Sequence, residues 1–304
     1  MRTLLTAIIL LMASSSFSQE AVNLYNSAII KAQEGNMEGA IQDFDDCLSI
    51  DPENTNAYYW RGLAKASVGN INEAIADFGK ATTYNPSFGE AYLQRGTLYN
   101  NIGNPTAALS NLDVAVNLLP TNMDTYFNRA IAQANLGFHE KAIADYNHIL
   151  QNKRDNLDEV FIHRGISYRK MEKFDLAIAD FTEAIRQNER SADAYVNRGI
   201  TYRITEHFDN AIANYTKAIE INPSNTDAFY NRGVAYSKID KHQDAIRDFS
   251  KAISINPKDA DSFMNRGVEL VIIGKKDAGC ADIATAANLG LEIAVAERNR
   301  FCKN

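Results

Sequence analysis

Apolar residues in this chain recur with two nested periods. In the stretch beginning at Thr226, Phe229, Gly233 and Tyr236 fall at spacings of 4 and 3, on one face of a helix. Ala245, Ile246, Phe249, Ala252 and Ile253 then fall at i, i+1, i+4, i+7 and i+8, the stripe of a second helix. Gly233, Ala245 and Ala252 are small where two helices must approach closely. Asn256-Pro257 stops the second helix, because proline disfavours helical geometry in the residue before it. Asp259 and Asp261 flank the next start, where carboxylates cap bare N–H groups and suit the helix dipole. The predicted unit is a pair of helices joined by a short turn.

The longer period comes from repetition of this unit. Arg-Gly occurs at Arg61, Arg95, Arg164, Arg198, Arg232 and Arg266, with Arg129-Ala130 filling the gap, and the steps are 34, 34, 35, 34, 34 and 34. Pro52, Pro86, Pro120, Pro223 and Pro257 step by 34, 34, 103 and 34, where 103 is three periods plus one. Both series therefore place one inserted residue between Arg129 and Arg164. Ser27-Ala28 lies one period before Arg61 and marks an eighth copy. A 34-residue period predicts an array of helix–turn–helix units. The copies run near 21–54, 55–88, 89–122, 123–157, 158–191, 192–225, 226–259 and 260–289. Length alone suggests two domains; the period replaces that with one continuous array over 19–289, followed by a capping helix over 290–304. The junction Gln151–Glu159 has the extra residue and no proline. It reads as an irregular step in the array, with a hinge as the alternative.

Met1–Ser18 has a different character. Arg2 precedes an apolar run from Leu4 to Met12, then small residues from Ala13 to Ser16. That order is expected of a secretory signal peptide, with cleavage between Ser18 and Gln19. The run is shorter than the roughly 20 residues needed to span a bilayer. The expected location is secreted or periplasmic, with no integral membrane segment.

Composition narrows the function. The formal net charge is −7, and hydrophobic residues make up 45%. Such a chain has enough apolar content to fold, and it lacks the basic balance of a nucleic-acid binder. The five histidines form no metal-ligand spacing, and no phosphate-cradling glycine loop or nucleophile motif is present. No cofactor, metal or catalytic residue is expected.

The repeat resembles the tetratricopeptide repeat family. In the copy Ala192–Asn225, Tyr195, Gly199, Tyr202, Ala211, Tyr215, Ala218 and Pro223 stand at positions 4, 8, 11, 20, 24, 27 and 32, where the family has its consensus residues. The resemblance covers about residues 20–288. It implies an all-α, right-handed α-solenoid of about eight helix pairs. Glu172, Glu206 and Asp240 stand where the turn between the two helices usually has glycine. Position 7, commonly Leu in the family, is Arg in seven copies, while position 23 is Asp77, Asp145, Asp180, Asp248 and Asp282 in five of them and Asn111 and Asn214 in two. An Arg turned into a helix seam needs a partner. These arginines are expected to pair with position 23, within a repeat or across to the next.

The resemblance also implies a concave surface lined by the first helices. Positions 5 and 9 read Tyr59/Leu63, Leu93/Thr97, Phe127/Ile131, Ile162/Ile166, Val196/Ile200, Tyr230/Val234 and Met264/Val268. This apolar strip is a candidate interaction surface; packing against the neighbouring repeat is the other reading, and the two are compatible. Position 6 reads Asn26, Trp60, Gln94, Asn128, His163, Asn197, Asn231 and Asn265. Some relatives use such an asparagine row on a peptide backbone, a role that suits an amide. Arg169, Lys170 and Arg203 add a basic spot at positions 12 and 13. The carboxylate clamp of chaperone-tail-binding relatives is missing, because positions 5 and 9 are apolar.

Cys47 occupies a tight alanine site and reads as a core thiol. Cys280 and Cys302 are symmetric about residue 291, so an antiparallel helix pair turning at Gly290 brings them together. A disulfide fastening the capping helix is expected. The sequence thus points to a non-catalytic module binding a protein or peptide segment. The alternative is a structural scaffold in a cell-envelope assembly, using the convex face or the ends of the array. The partner and the oligomeric state stay open.

Overall fold

The computed structural model describes residues 19–152 and 157–302; the expected signal peptide, residues 1–18, lies outside them. The described residues form helices joined by short turns. In the first unit, residues 19–33 form α1, followed by α2 (Met37–Ile50), α3 (Thr55–Ser67), α4 (Ile71–Tyr84), α5 (Gly89–Asn101), α6 (Pro105–Leu118), α7 (Met123–Asn135) and α8 (His139–Gln151). The second unit holds α9 (Leu157–Lys170), α10 (Phe174–Gln187), α11 (Ala192–Ile204), α12 (Phe208–Ile221), α13 (Thr226–Lys238), α14 (His242–Ile255), α15 (Ala260–Ile272), α16 (Lys276–Asn288) and α17 (Glu292–Phe301). The division falls between residues 152 and 153, inside the junction where the repeat spacing gains a residue.

Local chemistry sets the helix boundaries. Asn54, Asn225 and Asp259 precede α3, α13 and α15, and each side chain accepts a hydrogen bond from a first-turn N–H. The turn inside each pair needs one residue with positive φ. Gly69 and Gly103 supply it without strain, but Glu172, Glu206 and Asp240 adopt φ of 58°, 60° and 59°. Those are the three positions where the sequence departs from glycine.

In four of the pairs, the position-24 ring of the second helix packs against a glycine at position 8 of the first. A Cβ added at Gly199 would stand 2.7 Å from Tyr215. Glycine there lets Phe78, Phe181, Tyr215 and Phe249 become fully buried, each ring contributing about 2–3 kcal/mol. Among the first helices, α5 touches α7, α9 touches α11, α11 touches α13 and α13 touches α15. The second helices pack mainly on the first helices before and after them. The first helices therefore form the inner side of each unit.

The position-7 arginines line the seams. Arg61, Arg129, Arg164, Arg232 and Arg266 each donate two hydrogen bonds to the position-23 carboxylate of their own repeat, at 2.6 to 2.9 Å. Several also reach back to position 25 of the preceding repeat: Arg61 to Asp45, Arg129 to Asp113, Arg198 to Thr182, Arg232 to Thr216 and Arg266 to Ser250. All seven guanidiniums lie 5.3 to 5.7 Å from the position-4 ring of their own helix. Each arginine thus ties two helices of one repeat together, and those with a backward bond also join that repeat to the one before. Arg95 is the thinnest of these ties. It donates to Asn111 at 2.6 Å, and its neighbour at position 25 is Gly79, which offers no side chain.

At the C-terminal end, α17 packs on α16 and α15. Leu291, Ala294 and Phe301 cover Ile283 and Ala286. Cys280 and Cys302 form a disulfide with Cα atoms 5.7 Å apart, and Cys47 is a buried free thiol. Among the described residues, no helix is long and apolar enough to cross a membrane.

Candidate functional site

The strip at positions 5 and 9 lies on the first helices, and much of it is used for packing. Leu93, Phe127 and Val196 are buried, at 7%, 8% and 8% exposure. Tyr59, Leu63, Ile131, Ile162, Ile166, Ile200, Tyr230, Val234 and Met264 are half-buried. Tyr59 packs at a tilt on Phe88, ring centroids 4.8 Å apart, and on Phe78, so it closes the core of its own repeat. Ile200 packs on the cluster around Val196 and on the one around Tyr215. The strip is the edge of the core rather than an open apolar patch, which is the packing role the sequence left open. Beside the strip, Trp60 at position 6 is 40% exposed. It lines a cleft of about 230 Å³ between α1 and α3 with Ile29, Met37 and Leu63.

The asparagines at position 6 share one geometry. The amide nitrogens of Asn128, Asn197, Asn231 and Asn265 donate to the carbonyl four residues earlier, at 2.8 to 2.9 Å. That bond fixes each side chain against its own helix. Their carboxamide oxygens have no partner among the described residues. Asn197, Asn231 and Asn265 follow at 34-residue steps on α11, α13 and α15. Three successive repeats of the second unit therefore each present one fixed hydrogen-bond acceptor on its inner side.

Sequence reasoning missed a cross-repeat bond beside this row. Position 12 of one repeat donates to the position-6 carbonyl of the next: Asn100 to Asn128 at 2.9 Å, and Arg169 to Asn197 at 3.2 Å. The 28-residue register between these positions was the available signal. Arg169 and Arg203 both lie on this inner side, half-buried. Burial pulls the Arg169 proton affinity down, the Tyr215 hydroxyl offsets part of that, and the like charge of Arg203 adds to the fall. Burial pushes the Tyr215 hydroxyl up to about 12, against the opposing pull of Arg203 and Arg169.

Tetratricopeptide repeat models match residues 21–54, 55–88, 163–205 and 226–259, and a TPR repeat model matches 201–240. Together these matches cover more than half of the chain. No curated protein sequence matches it. Among solved structures, the chain is similar to the APC/C hetero-tetramer Cut9-Hcn1, with TM-score 0.65 and 15% identity, over 88% of this chain and 53% of that one. It thus spans about half the length of that relative. A tetratricopeptide repeat protein from Parabacteroides merdae gives TM-score 0.56 and 19% identity, over 94% of this chain and 100% of that one. MamA gives TM-score 0.50 and 24% identity, over 54% of this chain and 96% of that one. With its family matches, its helix pairs and the 34-residue period in agreement, the chain belongs to the tetratricopeptide repeat family.

Proposed function

We propose that the chain is a non-catalytic protein–protein interaction module, and that it holds an extended peptide or partner segment against its first helices. The observation that carries this reading is the row of amide oxygens on Asn197, Asn231 and Asn265. Each is fixed by its own N–H bond to the helix and still has acceptor capacity. An extended backbone offers N–H donors that such a row can take up, with affinity supplied by many weak contacts on a rigid scaffold. Half-buried Ile166, Ile200 and Val234 border the row and add apolar contact.

The Cys280–Cys302 disulfide supports an oxidising compartment, in keeping with secretion directed by residues 1–18. Under this proposal the mature chain starts at Gln19, its repeats fill 19–289 and residues 290–304 close the end. The repeat that ends an array has no neighbour, and α17 supplies one.

The test is selection of a random decapeptide library on the chain beginning at Gln19. Asn197→Ala with Asn231→Ala should weaken the selected peptides about tenfold or more. Lys217→Ala, on the exposed face of α12, should leave them unchanged. Equal binding by the asparagine variant and the parent would remove the row from the site.

A further inference from the structure

The second unit contains two guanidiniums that differ from the seam arginines. Five of the seven position-7 arginines hold a carboxylate in two hydrogen bonds. Arg169 and Arg203 have no carboxylate within 4.0 Å among the described residues. Arg169, on α9, gives one nitrogen to the Asn197 carbonyl and lies 5.9 Å from the Phe181 ring centroid. Arg203, on α11, has its Nε buried with no hydrogen-bond partner. The Tyr215 hydroxyl, on α12, is likewise buried and makes no well-formed hydrogen bond, although Arg203 stands beside it. Both cations sit close enough to feel one another and the same hydroxyl.

Two half-buried like charges with no carboxylate beside them are costly unless an anion joins them. Guanidinium forks match a carboxylate in shape and number of donors. The chain as a whole is acidic, at −7, so a desolvated cationic pair on its inner side is a local reversal of sign.

We propose that Arg169 and Arg203, beside the buried Tyr215, form a subsite for a carboxylate carried by the bound segment. The carboxylate comes from an Asp or Glu side chain or from a chain terminus. This inference rests on the reading of the inner side as a peptide site. Its geometry differs from a clamp built on positions 5 and 9, because it uses position 12 of two successive repeats.

The test has two arms that fail separately. In the first, the Nε–H resonances of Arg169 and Arg203 are followed by nitrogen-edited NMR while N-acetylglutamate N-methylamide is added, with ionic strength held by sodium chloride. Both resonances should shift saturably, with Kd about 10 mM or tighter. Arg203→Gln should weaken the Arg169 response about tenfold, while Arg198, in the seam, should not respond. Inorganic phosphate and the glutamine analogue are controls. A linear response, or saturation by phosphate alone, overturns the carboxylate subsite.

In the second arm, peptides selected on the parent chain should be enriched in Asp or Glu at one register, or should lose binding on C-terminal amidation. These two results distinguish a side chain from a terminus. Arg169→Gln with Arg203→Gln should abolish the preference while leaving residual peptide binding. Peptides selected without any acid preference, together with a linear titration, would sink the subsite and leave the peptide-binding reading intact. A saturable titration with no peptide selected would do the reverse.

Discussion

Asp77→Ala removes the carboxylate from one seam and leaves its cation behind. In the parent, Asp77 takes hydrogen bonds from Arg61 at 2.8 and 2.6 Å and lies 3.1 Å from Lys65 Nζ. The Arg61 side chain is 15% exposed and that of Asp77 6%. Breaking a buried ion pair by deleting one partner costs about 3–5 kcal/mol, because the other charge stays desolvated. Arg61 keeps Asp45, a more exposed partner, and the Tyr58 ring. The expected loss is therefore nearer 2–3 kcal/mol. Asp77→Asn retains an acceptor for Arg61 Nε, as Asn111 does for Arg95, so its cost should be about 1 kcal/mol. Replacing both partners, with Arg61→Met and Asp77→Leu, should recover most of the loss, since no charge is left buried. Urea unfolding followed by circular dichroism reads the global change. Amide exchange in α3 and α4 shows whether it is local, which matters because repeat arrays need not unfold in one step. An Asp77→Ala loss below about 0.5 kcal/mol, the size of an exposed pair, would refute the claim that the arginines are paired structurally.

Four further outcomes follow. Gly79→Asp supplies at position 25 the acid that Arg129 finds in Asp113 and Arg95 lacks. It should raise stability by about 0.5–1 kcal/mol in urea unfolding, part from helix propensity and part from the pair. Glu206→Gly relieves a left-handed backbone at φ 60° and should stabilise by about 1 kcal/mol, seen as a higher Tm. Tyr215 keeps its proton in the folded chain up to about pH 12, against 10.0 for a free tyrosine. Stability should therefore fall as pH rises between those values, by about 2–3 kcal/mol in all, and Tyr215→Phe should flatten that part of an alkaline unfolding curve. Alkylation of the unfolded chain should label one thiol, Cys47, without reductant and three with it. Reduction should also speed amide exchange in α17, whose docking is closed by the Cys280–Cys302 bond.

Much of this was legible because a repeat reports each interaction several times. The Arg and Asp registers predicted a pairing and left open whether it lay within a repeat or across repeats; the contacts place it within, with a second link backward. Glu172, Glu206 and Asp240 stood out against glycine in the same register, and each adopts positive φ. The meeting of Cys280 and Cys302 followed from a turn at Gly290. What the sequence did not convey depends on neighbouring helices. Hydrophobicity at positions 5 and 9 is the same whether a side chain faces solvent or the next repeat, so the burial of Leu93, Phe127 and Val196 could not be read from it. The donors at Asn100 and Arg169 act on backbone carbonyls, which carry no residue identity. Arg203 and Tyr215 are ordinary in their own registers, and only packing shows that both keep buried polar atoms without partners.

Site-specific photo-crosslinking tests the central claim most directly. A photoreactive residue is placed at Asn231 on α13, or at Lys217 on the exposed face of α12, and the chain is incubated with a peptide from the library selection. Efficient crosslinking from position 231 and none from 217 is the result expected of a peptide held on the first helices. Crosslinking from 217 with none from 231 would contradict it and move the binding surface to the outer helices.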